Sequence, residues 1–328
     1  MPSGEMPSGF LASQTPEFTL RRRGSTASRA GLREWTPMNM NHKSSLIFLG
    51  TGTSEGVPRV SCLTRDPVTC ENCASAVVPG SRNRRRNTSL LLRYAHPDGR
   101  TRNIVIDTGK FFWHSAIEWF PKFKVPTIDA VVLTHAHVDA SGGLDDLRDW
   151  TNNVQRSIPI FVRRLDMDAL SKIFFYLVDT SKATGGGGVS RLAFTYIGDE
   201  PFEVEGLKFT PLPVWHGRPN TAFGYRFGDV AYLSDVSEIP ETTAKLIEGT
   251  KLLILDALRP NRPHRSHFTL EQAIDQIRIF RPERTLLVDM THDYNHERTN
   301  VELSKLKASD GIDVQLAYDG QLVEALDL

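Results

Sequence analysis

His135, His137 and Asp139 stand at alternate positions directly after the apolar run DAVVLT (129–134). Along an extended backbone, alternate side chains leave on the same side, so these three donors can meet at one point. Imidazole nitrogen and carboxylate oxygen suit zinc and similar divalent ions, and such an ion acidifies bound water into a nucleophile near neutral pH. Later apolar runs close in the same way: LPVWHG carries His216, AYLSD carries Asp235 and LLVDMTH carries His292. A lone histidine is more often structural. Six such groups at run ends, in a chain with only 10 histidines, read as one metal centre at a common edge.

A second set lies upstream. The chain has three cysteines, Cys62, Cys70 and Cys73, all within twelve residues. An odd, clustered set with Cys-x-x-Cys spacing fits a metal site better than a disulfide framework, although three buried reduced thiols is the plainer alternative.

The elements that must position these groups are short and mostly apolar. Runs at 45–50, 88–94, 103–107, 129–134, 158–162, 207–214, 221–227, 230–235, 251–256, 284–290 and 314–319 read as strands. Several are apolar throughout, which means burial on both faces. Helical periodicity occupies 165–178, 240–249, 269–280 and 296–308, with Thr269 and Gln272 spaced as a capping box. Two sheets packed face to face with helices outside satisfies this pattern, as do other layered arrangements. The loop DTSKATGGGGVSR (179–191) reads equally as a lid or as a connector.

THAHVDASGGL (134–144) resembles the His-x-His-x-Asp-His signature of the metallo-β-lactamase superfamily. GTGTSEGVPR (50–59), IDTG (106–109), WHG, LSD and MTH follow in that family's order. The similarity is greatest to the PhnP-like branch, that of a phosphoribosyl cyclic phosphodiesterase, and spans roughly 44–326. It implies an α+β, four-layer αββα sandwich for residues 44–328. By motif, His135, His137 and His216 would hold a first ion, Asp139 and His292 a second, and Asp235 would bridge them. Asp107 would stand behind the ligands, although a polar turn at a strand end explains it nearly as well. The resemblance also implies a structural zinc on Cys62, Cys70, Cys73 and His296. His267, just before a helix start, is cast with Asp139 as a catalytic residue, with His267 as general acid; an exposed histidine before a cap is the plain alternative. Asp256 and Arg259 are weaker candidates for orienting the site and binding phosphate.

The departure is Ala140, where the signature has a histidine. Either the second ion is held more weakly, or another group replaces the imidazole, or the enzyme uses one ion. Asp145 and Asp146 are the nearest candidates, and carboxylates there favour harder ions such as Mn²⁺. Helix capping explains those two acids as well. The expected cofactors are one or two catalytic Zn²⁺ or Mn²⁺ ions and one structural Zn²⁺.

Composition narrows the rest. With 39 Lys+Arg against 39 Asp+Glu and no long apolar stretch, nothing suggests a nucleic-acid coat or a membrane protein. The basic run RNRRRN (82–87) reads as a solvated loop, with contact to an anionic substrate as the alternative. Residues 1–43, rich in Ser, Pro, Gly and Arg, read as a disordered tail, with a transit peptide as the other reading. That makes the expected location the cytoplasm, or an organelle if the tail is a targeting segment. The expected partner is a small phosphodiester, cyclic or linear, with no nucleic acid and no membrane; a homodimer is the alternative to a monomer. Hydrolysis of acyl esters, thioesters or lactones, transfer-RNA processing, and a non-catalytic metalloprotein with a degenerate second site are the competing functions.

Overall fold

The computed structural model describes residues 43–182, 188–326 and 328. The expected tail, apart from Lys43, lies outside the described residues, as does the glycine-rich centre of the 179–191 loop.

Among the described residues, fourteen strands form two sheets of seven. The first contains β1 (Ser44–Gly50), β2 (Ser89–Ala95), β3 (Thr101–Ile106), β4 (Ala130–Val132), β5 (Ile158–Arg163), β6 (Leu192–Ile197) and, on its far edge beside β1, the last strand, β14 (Leu322–Leu326). The second contains β7 (Phe202–Val204), β8 (Leu207–Trp215), β9 (Thr221–Phe227), β10 (Val230–Leu233), β11 (Leu252–Asp256), β12 (Arg284–Val288) and β13 (Val314–Leu316), neighbours in sequence being neighbours in space.

The period-two alternation builds two cores from each strand. Leu46 and Phe48 of β1, Leu90 and Leu92 of β2, and Ile104 and Ile106 of β3 face the opposite sheet, where they meet Phe209, Tyr225, Tyr232, Ile254, Leu286 and Val288. The alternate residues Ile47, Leu49, Leu91 and Val105 face outward and pack under the helix Phe112–Phe123 and the helix Arg164–Ile173. On the second sheet Leu253, Leu255 and Leu287 do the same under Glu241–Ile247, Leu270–Phe280 and His296–Ser309. Burial on both faces explains why these strands read as continuous apolar runs. The result is the expected αββα sandwich.

Strand direction fixes where the chemistry collects. Strands β3, β4 and β5 are parallel, as are β10, β11 and β12, and β8 shares the sense of β10 because β9 is antiparallel to both. The residues that follow these strands therefore lie along one edge of each sheet. The two edges are joined there: Phe223 donates its N–H to the Thr134 carbonyl at 2.9 Å, and Gly52 bridges Asn87 of the first sheet and Met290 of the second.

Several elements differ from the sequence reading. The 165–178 pattern is two helices, Arg164–Ile173 and Phe175–Val178, broken at Phe174, whose φ/ψ of −115°/44° is not helical. The basic run 82–87 is no solvated loop. Arg85 is 1% exposed and donates to Thr51 Oγ1 and to the Ala317 carbonyl, pinning the turn after β1 to the C-terminal segment. No helix among the described residues is long and apolar enough to cross a membrane.

Candidate metal centre

Asp107 ends β3 in the left-handed region, φ 64°, a conformation that costs a non-glycine residue about 1 kcal/mol. Its carboxylate accepts from the Thr134 N–H and from Thr134 Oγ1, both at 2.8 Å. With its own proton committed to Asp107, Thr134 Oγ1 can only accept from His135 Nδ1, 2.9 Å away. That leaves His135 Nε2 as a bare lone pair, and this atom is buried without a hydrogen-bond partner. His216, after β8, is fixed in the same tautomer because Nδ1 donates to the Ser266 carbonyl at 3.0 Å. Its Nε2 then lies 3.3 Å from His137 Nδ1. The three rings stand with centroids 4.5 to 5.1 Å apart. Converging imidazole lone pairs repel one another unless a cation lies between them, so the donor set fits a zinc-type ion. Burial holds the His135 imidazole near a pKa of about 3, in the neutral form that a ligand requires.

Beside this cluster, Asp107, Asp139, Asp235 and Asp289 line a small void together with Gly52, Thr88 and Ala140. The backbone of the Asp139 loop rests directly on Gly109, where a Cβ would stand 1.9 Å from the Asp139 carbonyl. Burial pushes the carboxyl groups of Asp107, Asp139 and Asp289 upward. Asp235 goes the other way: burial would raise it too, but His135, His216 and His267 outweigh that and pull it down.

His267 stands two residues before the Thr269 cap of Leu270–Phe280, whose capping box with Gln272 is present on both sides. Its Nδ1 donates to Asp256 Oδ2 at 2.9 Å, and Asp289 Oδ2 lies 3.0 Å from the same nitrogen. Burial disfavours its cation, yet the two carboxylates prevail and its pKa rises well above that of a free imidazole. Asp256, fully buried, is pushed up to about 7, chiefly by burial. His216, Asp235 and His267 offer ligand atoms all within 4.8 Å of one another, and the His267 ring stands against the three-histidine cluster, its centroid 4.9 Å from that of His216.

Two expected assignments differ in the structure. His292 joins the cysteines instead of Asp139: its Nδ1 lies 3.5, 3.3 and 3.4 Å from the Sγ atoms of Cys62, Cys70 and Cys73. Three thiols and one imidazole within 4.8 Å make a tetrahedral zinc donor set. Cys73 is pushed up to about 12, mainly by burial and further by its neighbouring thiols, so its thiolate is unfavourable without a cation. His296 is not in that set. It is the first residue of the helix His296–Ser309, held by Asn83 Oδ1 accepting its N–H, and its ring faces Arg85 at 3.4 Å and Asn300 at 3.1 Å. The helix start turns it inward, whereas His292 lies in the loop before it and reaches the thiols.

His296 carries a pH signature. Burial first, then Arg85 and Arg82, lower its pKa to about 3. Above pH 6.5 the ring is neutral in both states; as pH falls below that, only the unfolded chain takes up the proton, so stability drops. Between pH 7.5 and 5.5 wild type should lose about 1.4 kcal/mol more than His296→Gln, read from urea midpoints at each pH. Equal losses in the two proteins would refute the assignment.

The weaker candidates divide. Asp256 is in the centre. Asp146 is not among the residues lining the void; its carboxylate takes the Trp113 backbone N–H at the start of Phe112–Phe123, the capping alternative applied to the preceding helix. Arg259 donates Nε to the Arg262 carbonyl at 3.1 Å and braces its own turn. Asp289, absent from the sequence reading, also lines the void. It follows β12 just as Asp107 follows β3, also at positive φ (60°), and four strand ends share one pattern: VID, LSD, ILD and LVD.

Residues 102–290 match the beta-lactamase superfamily domain. A curated octanoyltransferase of Porphyromonas gingivalis (strain ATCC BAA-308 / W83) is 31% identical over 267 residues, 78% of this chain and 48% of that protein. The chain thus spans about half the length of this relative. The crystal structure of a diphosphatase from the PhnP family superposes with a TM-score of 0.71 at 30% identity, covering 87% of this chain and 98% of that one. Zn²⁺-bound PqqB from Methylobacterium extorquens gives a TM-score of 0.63 at 20% identity, covering 87% and 100%, a likeness of fold alone. A fold of this family implies divalent ions, and the donors gathered at the strand edge fit them. The chain is a hydrolase-fold member of the metallo-β-lactamase superfamily and belongs to its PhnP-like branch.

Proposed function

We propose that the protein is a metal-dependent phosphodiesterase acting on a small phosphodiester or a related phosphoanhydride. The observation that carries this reading is the placement of His267, its Nδ1 held by Asp256 and its ring against the three-histidine cluster. A poor alkoxide or phosphate leaving group needs a proton, and a buried cationic imidazole at the mouth of the centre is placed to give one. Bound divalent ions supply a nucleophile from water and neutralise phosphoryl charge. The chain's own groups do the remainder. Asp107, through Thr134, holds His135 in the ligand tautomer; the Ser266 carbonyl does so for His216; Asp256 keeps the His267 proton on the side away from the ions and the ring charged. The 30% identity with a PhnP-family diphosphatase supports the phosphorus-centred reading.

Acyl transfer chemistry is the second reading, favoured by the name of the octanoyltransferase relative. One panel separates them: bis(p-nitrophenyl) phosphate, a cyclic phosphodiester and a dinucleoside diphosphate against p-nitrophenyl octanoate and an octanoyl thioester. We expect kcat/KM at least about 10²-fold higher on a phosphorus substrate, worth about 2.7 kcal/mol of differential transition-state binding. The reverse order would replace phosphodiesterase by acyl hydrolase.

A further inference from the structure

Of the basic run 82–87, Arg85 is buried and braces the turn after β1, but Arg82, Arg84 and Arg86 have no part in that contact or in the metal centre. They line a cavity of about 210 Å³ together with Trp119 and Lys122 of the helix Phe112–Phe123 and with Tyr318. A second cavity, of about 290 Å³, shares Arg84 and Arg86 and is walled by Val57, Pro58, Phe111 and His114. Neither cavity shares a residue with the metal centre. We propose that the two cavities form one binding site, separate from the metal ions, for a nucleoside monophosphate: the phosphate among the cations of the first cavity and the base against Phe111 in the second. The site goes beyond the proposed function and does not rest on it.

Three observations converge. Among the described residues that line the first cavity, two buried side-chain atoms have no hydrogen-bond partner, Arg86 Nη1 and Trp119 Nε1. Both can only donate, so the partner they lack is an acceptor, and phosphate oxygens are strong acceptors. Charge agrees. Arg82, Arg84, Arg86 and Lys122 face two acids, Glu118 and Asp319. Glu118 pairs with Arg86 Nη2, and both Asp319 oxygens are taken, one by Thr51 Oγ1 and one by the Arg86 backbone N–H, each at 2.8 Å. Arg82 also meets Glu297 at 3.3 Å, an exposed pair of little strength. The cations are held in place mainly by groups that leave their charge unspent: Arg82 lies over the Tyr318 ring at 4.5 Å, Lys122 over Trp119 at 4.9 Å, and Arg84 donates to the Ala76 and Val77 carbonyls at 3.0 Å. Shape supplies the third observation. Beyond the shared arginines the wall turns apolar and aromatic, with His114 edge-on to Phe111 at a centroid distance of 6.3 Å, a surface on which a flat base can stack.

The test reads binding, not turnover. Full-length, metal-loaded protein is titrated calorimetrically with adenosine 5′-monophosphate, inorganic phosphate and adenosine. Wild type should bind the nucleotide more tightly than inorganic phosphate, and adenosine most weakly of the three. Phosphate groups can also reach the metal ions, so two variants locate the site. Trp119→Phe/Lys122→Gln, which removes one donor and one charge from the first cavity, should weaken nucleotide binding at least about tenfold. Phe111→Leu should weaken the nucleotide and leave inorganic phosphate unchanged. Unaltered zinc content and melting temperature show that each variant is folded. The proposal is overturned if the double variant binds the nucleotide like wild type, which would put the ligand on the metal ions, or if adenosine binds as tightly as its monophosphate. Equal affinity for nucleotide and inorganic phosphate would overturn the role of the second cavity. A protein that binds the nucleotide in this way but turns over no phosphodiester would sink the proposed function and leave this site standing.

Discussion

His267→Ala is expected to lower kcat on an alkyl phosphodiester by roughly 10²–10⁴-fold, the range for losing a positioned general acid, while bis(p-nitrophenyl) phosphate loses no more than about tenfold. The contrast follows from the leaving group. An alkoxide cannot depart near neutral pH without a proton; nitrophenolate can. The geometry makes His267 the donor. Its ring is held by Asp256 on Nδ1 at 2.9 Å, its side chain is 12% exposed, and it stands beside His216 and Asp235. Burial alone would strip the ring of its second proton, and the carboxylates of Asp256 and Asp289 reverse that. His267→Gln should behave like alanine, because an amide holds the Asp256 contact but carries no transferable proton. Equal losses on both substrates, accompanied by a lost ion, would make His267 a ligand; no loss on either would place the acid elsewhere.

The contrast between what could and could not be read from the sequence has a simple physical origin. His135, His137 and His216 were legible because period-two spacing and strand ends fix direction: a side chain just past a parallel strand has only one edge to go to. The sandwich was legible for the same reason, each strand alternating between an inter-sheet and an outer core. That His292 and not His296 meets the thiols was not, because four residues separate them and only the start of the helix at His296 decides which one faces the cysteines. Arg85 and Asn87 show the same limit: a run of basic residues reads as solvated until the turn after β1 is seen to need their donors, Asn87 Nδ2 serving the Thr53 and Ser54 carbonyls. Short edge strands such as Phe202–Val204, with an exposed middle residue, carry too little pattern to register. Asp289 shows in the sequence only through the shared ending of four apolar runs in aspartate, a weaker signal than histidines at alternate positions.

Cys73→Ser should remove one zinc per chain and destabilise the fold by about 4 kcal/mol or more, the size associated with loss of a structural metal, lowering Tm by about 8 °C. A serine hydroxyl fills nearly the same space but is a poor zinc ligand, so the change removes coordination with little loss of packing around Cys73, which is 0% exposed among Val57, Cys62 and Ala76. The loss reaches further than the hairpin itself, because the cluster joins Cys73 to His292, 219 residues away in sequence. His292 follows Asp289 by three residues, and Met290 between them pairs with Gly52 on the wall of the carboxylate void. Breaking the cluster therefore frees the segment that carries Asp289, while the zinc on His135, His137 and His216 should stay. Arg59 packs against the same cluster: its backbone N–H donates to Cys73 Sγ at 3.4 Å, and burial first, then the Arg59 guanidinium 2.8 Å from Nε2, disfavour the His292 cation. If the thiols were only a buried apolar cluster, Cys73→Ser would leave the zinc count unchanged and wild type would melt at the same temperature with and without a strong chelator.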